Sequence, residues 1–154
     1  MRLFITVLCS SLLSYCHKLA WSGPLLMRIF FGYFWLETGW AKLQGIEGFT
    51  SRFMQWGIPF PAFSANVSAW AELIGGALIM LGLFTRLTAV PMIINMVVAI
   101  VLVVLPDVHT FDEFIELNEF LYILIFFWLL VAGPGEVSLD ALLKRWLDIG
   151  VKGT

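Results

Sequence analysis

Four long apolar runs, separated by short polar connectors, constrain the fold of this chain more than any other feature of its sequence. They cover about residues 24–43, 65–84, 87–105 and 113–132, and each has roughly the 20 residues that a helix needs to cross a bilayer. Of the 154 residues, 60% are hydrophobic and only 13% are charged, whereas about a quarter of a soluble domain is charged. The sequence therefore predicts an all-α integral membrane protein that folds as a four-helix bundle.

Two amphipathic segments flank the predicted spans. Residues 1–23 carry an apolar helical stripe but no small-residue cleavage site, so they predict an interfacial helix rather than a cleaved leader. Ser138 can cap a short amphipathic helix over residues 139–147, and residues 148–154 follow as a tail. The predicted membrane domain thus covers residues 24–147.

The connectors between the spans differ in length and composition. The first, residues 45–64, is rich in aromatic side chains and is interrupted by Pro59 and Pro61, which predicts a re-entrant or interface-lying loop. The second is only residues 85–86, so the second and third spans must be antiparallel neighbours. Asp112 in the last connector is a suitable N-cap for the fourth span.

Lysine and arginine are distributed unequally between the two predicted sides of the membrane. Four spans place both termini on one side, and that side has seven of the nine basic residues. The other side has only Lys42 and Arg52. Because cytoplasmic segments carry the excess of positive charge, we predict a multi-pass protein of the bacterial inner membrane with both termini in the cytoplasm.

Two carboxylates interrupt the apolar runs: Glu37 in the first predicted span and Glu72 in the second. A carboxylate in an apolar helix is costly unless it is neutral, paired or hydrated. In an up-down bundle both side chains are predicted at similar depth, where they can face each other and share a proton. Alternatively, Lys42 or Arg52 pairs with one of them. The sequence leaves both arrangements open.

Polar residues within or at the ends of the spans form the candidate site. They are Arg28, Glu37, Lys42, Glu72, Arg86, Asn95 and Glu119. Arg28 and Glu37 point to opposite sides of one helix, so their partners must come from other helices. Such a set can be a structural clasp, or it can bind a quinone head group or relay protons, and the sequence alone does not choose between these.

No motif indicates a self-contained catalytic centre. The chain has no nucleophile elbow, phosphate loop or zinc-type cluster, and no basic patch of the kind that binds nucleic acid. His109 with Asp107 and Asp112 can hold a metal ion, but a hydrated acidic loop explains the same residues. Met92 and Met96 can ligate copper, but we interpret them as packing residues of the bundle.

Five short segments lie in a characteristic order along the predicted membrane domain. They are Leu26–Gly32 with Gly39–Leu43, Gly57-Ile-Pro59-Phe-Pro61, Ala71-Glu72-Leu-Ile-Gly75-Gly76, Leu81–Arg86, and Gly133-Pro134-Gly135 with Ser138-Leu139-Asp140. Together they resemble the DoxX family of small four-helix bacterial inner-membrane proteins. Four further positions match the family pattern and have a structural rather than a polar role. They are Pro59, Pro61, Gly75 and Gly76.

The resemblance implies an accessory or quinone-linked subunit of a membrane redox system that handles thiols, sulfur compounds or oxidative stress. In that role Glu72 is expected to hold a proton while Lys42 or Arg28 stabilises a quinol anion. The implied partners are membrane lipid and a redox protein, with a homo-oligomer left open and no nucleic acid. The alternatives are a non-catalytic anchor or assembly factor, including one for copper-peptide maturation, and a small transporter. No covalent or metal cofactor is implied.

Overall fold

The computed structural model describes residues 13–146, and every regular element in that range is helical, which confirms the all-α prediction. Residues 1–12 of the predicted interfacial helix and the predicted tail, residues 148–154, lie outside this range, whereas residues 13–19 are helical. The helices that follow are α1 (Ser22–Gln44), α2 (Ile46–Gln55), α3 (Pro61–Leu81), α4 (Thr85–Ala99), α5 (Phe111–Ile115), α6 (Asn118–Ala132) and α7 (Leu139–Trp146).

Glycines allow α1 and α3 to form the most extensive helix–helix contact among the described helices. A Cβ atom added at Gly32 would lie 2.6 Å from the backbone N of Met80, and one at Gly39 would lie 2.7 Å from Cα of Leu73. From the opposite helix, a Cβ at Gly76 would lie 2.7 Å from the carbonyl oxygen of Gly32. Small residues at such positions let two backbones approach closely. This close approach sets which side chains of α1 can reach α3.

The first connector is largely helical, which corrects the prediction of a loop there. α2 occupies ten of its residues, and its Phe49 and Phe53 are buried against Ile58. The prediction of a loop failed at residues 46–55 because Pro59 and Pro61 come after α2 and therefore do not interrupt it. Proline is suited to a first helical turn, and α3 begins at Pro61 itself.

The predicted third span is not a uniform α-helix. Beyond α4, which contains Pro91, the chain continues as a π-helix at Ile100–Val104 and a 3-10 turn at Leu105–Asp107. The whole helical stretch from Thr85 to Asp107 has 23 residues. π-Helical turns occur frequently at functional sites, and two residues of this one, Val103 and Val104, line the cavity described below.

The predicted fourth span, residues 113–132, is divided in two. Thr110 caps α5, because its side-chain oxygen accepts a hydrogen bond from the backbone N–H of Glu113 at 3.3 Å. The chain is extended at Leu117, and only then does α6 begin. The prediction of Asp112 as the cap of one continuous helix was therefore wrong.

Large apolar side chains cover the outer surfaces of the long helices. Phe30 on α1 and Leu87 on α4 are 71% and 72% exposed, and soluble monomers rarely expose broad apolar surfaces. α3 and the stretch Thr85–Asp107 are long and apolar enough to cross a membrane, while α6 is apolar but has only 15 residues. α1 is 23 residues long but carries three charged side chains.

Candidate functional site

A buried ion pair between α1 and α3 is the centre of the candidate site. Nζ of Lys42 lies 2.5 Å from Oε1 and 2.6 Å from Oε2 of Glu72. Nδ2 of Asn95 on α4 donates to the same Oε1 at 3.0 Å, and its Oδ1 accepts from the Ser68 hydroxyl at 2.9 Å. Because the carboxylate is both paired and hydrogen-bonded, much of the cost of its burial is offset.

The two ends of the ion pair differ in their access to solvent. The side chain of Glu72 is 1% exposed, whereas that of Lys42 is 29% exposed. Lys42 is in the last turn of α1, where a cation interacts favourably with the helix dipole. Its Nζ also lies 4.9 Å from the ring centroid of Phe49, within the range of a cation–π interaction. Lys42 is thus the solvent-accessible partner of a carboxylate that solvent itself does not reach.

A cavity of about 300 Å³ opens beside this pair. Its polar wall includes Lys42, Glu72, Asn95, Ser68, Thr38, Arg52 and Glu119, and its aromatic wall consists of Phe34, Trp35, Phe49, Phe53, Trp56 and Tyr122. These residues come from α1, α2, α3, α4 and α6. A pocket of this size is at the lower end of the range for small-molecule sites, so it suits a single ring rather than a large cofactor.

Glu37 does not belong to this site. It is exposed on α1 and does not line the cavity, so the prediction that it faces Glu72 and shares a proton with it was wrong. The reason lies in the helix geometry: Gly39 faces α3, and a residue two positions earlier points about 160° away from it. The alternative pairing of Lys42 with Glu72 is the one that the structure contains.

Arg28 lies at the opposite end of α1 from the ion pair. It is 14 residues before Lys42, or about 21 Å along the helix, and it is not among the cavity residues. Its buried guanidinium donates from Nη2 to the carbonyl of Val137 and occupies the space beside Gly82. The expectation that Arg28 stabilises an anion near Glu72 is therefore contradicted.

The turn between α3 and α4 and the start of α4 are held by contacts with α7 and with the end of α6. The carboxylate of Asp140 accepts hydrogen bonds from the backbone N–H groups of Phe84 at 2.8 Å and Thr85 at 3.2 Å. Nη2 of Arg86 donates to the carbonyl of Val131 at 3.1 Å. Arg86 is thus a structural contact of this end of the bundle. The residue before α4 makes no side-chain cap hydrogen bond, so Asp140 caps this helix from a distant part of the chain. The sequence analysis noted Asp140 only as part of a motif and did not predict this contact.

The remaining motif positions are structural contacts. Gly76 faces α1, and a Cβ at Gly75 would lie 2.8 Å from Sδ of Met92. Met92 and Met96 are buried in the hydrophobic core, as the packing interpretation predicts. The carbonyl of Pro59 accepts a hydrogen bond from the Ser64 hydroxyl at 2.7 Å, and Pro61 starts α3.

Sequence reasoning missed two cavity positions that a helical pattern contains. Trp35, Thr38 and Lys42 follow one another on α1 at intervals of three and then four residues, which places all three on one face of the helix. In contrast, no group of three or more His, Cys, Asp or Glu residues in residues 13–146 is placed to share a metal ion. His109 with Asp107 and Asp112 accordingly forms no such group.

Comparison with known proteins gives two relatives and one family. The DoxX family model matches residues 23–105, which include Lys42, Glu72 and Asn95. "Putative oxidoreductase CatD" of Bacillus subtilis (strain 168) is 40% identical over 81 residues, which are 53% of this chain and 59% of that protein. "Uncharacterized membrane protein Rv3486" of Mycobacterium tuberculosis (strain ATCC 25618 / H37Rv) is 33% identical over 138 residues, or 80% of this chain and 84% of that protein. The chain thus spans less than two thirds of the first relative, and no solved structure matches it significantly.

Proposed function

Because the chain belongs to the DoxX family of membrane proteins, we propose that it is an accessory, quinone-linked subunit of a membrane redox system. It is a multi-pass four-helix bundle of the bacterial inner membrane with both termini in the cytoplasm, in agreement with the distribution of basic residues. The name of the Bacillus subtilis relative, which includes the word oxidoreductase, supports a redox setting. The electrons come from a partner redox protein.

The observation that carries this proposal is the position of the ion pair in the wall of an aromatic cavity. Lys42, Glu72 and Asn95 line a space that suits one planar ring, with Phe49 and Tyr122 among its walls. Ligand sites typically combine mostly apolar walls with a few convergent polar groups. An ionisable residue at membrane depth that faces such a space is by default a candidate for function.

In the proposed site, each polar residue has a distinct role. A bound quinone supplies the redox chemistry, since it takes up two electrons and two protons to become a quinol. The Lys42 ammonium donates a hydrogen bond to a ring oxygen and stabilises negative charge that develops there. Glu72 holds Lys42 in place through both carboxylate oxygens, and Asn95 in turn orients Glu72.

Quinone titration of the purified protein in lipid nanodiscs tests the proposal. We expect binding of a short-chain quinone, detected by quenching of tryptophan fluorescence, because Trp35 and Trp56 line the cavity. Lys42→Met should weaken binding about tenfold or more, since a hydrogen bond from a charged group contributes about 1.5–3 kcal/mol. Glu37→Gln is the matched control, because it removes an exposed carboxylate from the same helix.

A non-catalytic anchor or assembly factor is the second candidate. The observation in its favour is that Glu72 on α3 contacts Lys42 on α1 and Asn95 on α4, so the same three residues connect three helices. If the wild-type protein binds no quinone while a soluble partner co-purifies with it, the anchor function replaces the quinone-linked one.

A further inference from the structure

The aromatic cavity beside Lys42 adjoins a second space, an open groove on the outer surface of the bundle. The groove has a volume of about 420 Å³, and its walls come from α1 and α6. They are apolar or aromatic side chains: Leu26, Met27, Phe30, Phe31, Phe34 and Tyr122. Phe34 and Tyr122 also line the cavity, and their ring centroids lie 5.5 Å apart. The cavity and the groove therefore meet at this pair of rings.

Side chains rather than backbones close the bundle between α1 and α6. α1 packs chiefly on α3, and α6 packs chiefly on α4. Aromatic rings bridge the remaining gap: the ring centroids of Phe31 and Phe126 lie 4.9 Å apart, and those of Trp35 and Tyr122 lie 5.3 Å apart. Exposed side chains change rotamer rapidly, and Phe34 is exposed, whereas the close backbone contact between α1 and α3 has no such freedom. Movement of side chains alone can therefore open a path between α1 and α6.

One ridge of α1 continues from the cavity into the groove. Lys42, Thr38 and Phe34 follow one another at four-residue intervals in the wall of the cavity. Phe30 and Leu26 continue the same interval in the groove. Side chains at this interval form a continuous ridge on a helix surface. Leu26 is eight residues before Phe34, or about 12 Å along the axis, so the groove leads away from the ion pair along α1.

We propose that the ligand of the cavity is a lipid-soluble quinone whose apolar tail leaves between Phe34 and Tyr122 and lies in the groove. This inference rests on the proposed function and names the class of quinone that the site accepts. The cavity of about 300 Å³ has room for the ring, so a long tail must leave it. The groove receives the tail because it is apolar, adjoins the cavity and is open on its outer side, where Leu26 and Phe30 are exposed.

The position of the tail is a sharper test than its effect on affinity. Lipid chains are as apolar as the groove, so a tail gains little free energy by moving from lipid into it. Photo-cross-linking measures the position directly. The probe is a 1,4-benzoquinone with a decyl tail that ends in a diazirine, added to the full-length chain in nanodiscs, and mass spectrometry identifies the labelled residues.

A second apolar groove, between α3 and α4, is the matched control surface. Trp70, Ile74 and Leu87 are among its lining residues, and none of its described lining residues belongs to the cavity. We expect the quinone probe to label Leu26 and Phe30 severalfold more than Ile74 and Leu87. A decyl diazirine without the ring reports labelling by ordinary lipid chains and should label the two grooves equally.

Competition shows whether the ring anchors the tail. An excess of tail-less 1,4-benzoquinone should reduce labelling of the α1–α6 groove to the level of the control groove, because it occupies the ring site. Lys42→Met should have the same effect, whereas Glu37→Gln, on the exposed side of α1, should have none. The competition uses the wild-type protein and does not depend on the folding of a variant.

The results separate failure of the tail path from failure of the quinone site. Equal labelling of both grooves while tail-less quinone quenches tryptophan fluorescence would overturn the tail path and leave the quinone site intact. Labelling of the α1–α6 groove that tail-less quinone does not displace, or that the ring-free probe reproduces, would show a groove for lipid chains and would also overturn it. If neither quinone binds, the proposed function and this inference fail together.

Discussion

Replacing Lys42 with methionine removes the cation of the buried pair while keeping an unbranched side chain at the same position. Glu72, which is 1% exposed, then retains only the amide of Asn95 as a hydrogen-bond donor. Removing one partner of a fully buried ion pair destabilises a protein by about 3–5 kcal/mol. The Lys42 side chain is 29% exposed, so solvent screens part of this interaction, and we expect a loss of about 2–3 kcal/mol.

A double-mutant cycle isolates the contribution of the pair. Glu72→Gln removes the charge but keeps an acceptor for Asn95, so combining it with Lys42→Met leaves no unpaired charge in the bundle. We expect the double variant to be more stable than Lys42→Met alone, with a coupling free energy of about 1–2 kcal/mol, within the range for contacting residues. The free energy of unfolding can be measured by SDS titration of the protein in mixed micelles, followed by far-UV circular dichroism.

Arg52→Met is the matched control for this cycle. Arg52 also lines the cavity, but it forms no ion pair with a carboxylate among the described residues. Its replacement should change the free energy of unfolding by no more than about 0.5 kcal/mol. If the effects of Lys42→Met and Glu72→Gln on the free energy of unfolding simply add, the two side chains are not coupled. The Lys42–Glu72 ion pair then makes no net contribution to stability.

Three further predictions concern other parts of the chain. Gly39→Ala should destabilise the protein by about 1–3 kcal/mol in the same SDS titration, since overpacking has this cost. Gly48→Ala is the control and should not destabilise the protein, because Gly48 has open space around it. Asp140→Ala should cost about 0.5–2 kcal/mol, as loss of a helix cap does, because its carboxylate accepts from two backbone N–H groups at the start of α4; an unchanged unfolding free energy would contradict the capping role. The backbone N–H of His109 donates a hydrogen bond to the Glu113 carboxylate and lowers the pKa of that group. This contact therefore stabilises the loop fully at pH values above the ordinary pKa of glutamate, and the stabilisation is lost as the pH falls through the lowered pKa. The amide shift of His109 should follow this titration in NMR spectra, and the titration should vanish in Glu113→Gln.

Helical periodicity predicted the long helices, but local signals misplaced several of their ends. Pro61 was interpreted as part of a loop, although a proline at a helix start lacks only an N–H that has no helical partner there. Asp112 was assigned as a cap because its residue type favours that position, whereas Thr110 caps α5 and the chain breaks again at Leu117. Caps and breaks depend on backbone angles at single residues, which residue type constrains only weakly.

The sequence by itself determined that this chain is a helical membrane protein and that Glu72 needs compensation, because both conclusions follow from the cost of placing polar groups in an apolar environment. It also limited the partner of Glu72 to a few residues, Lys42 among them. Only the tertiary structure decided between Lys42 and Glu37, because the glycine contact between α1 and α3 sets the rotation of α1 about its axis. The cavity is lined by side chains from five helices, so a pattern within one helix can suggest some of its positions but cannot predict the cavity as a whole.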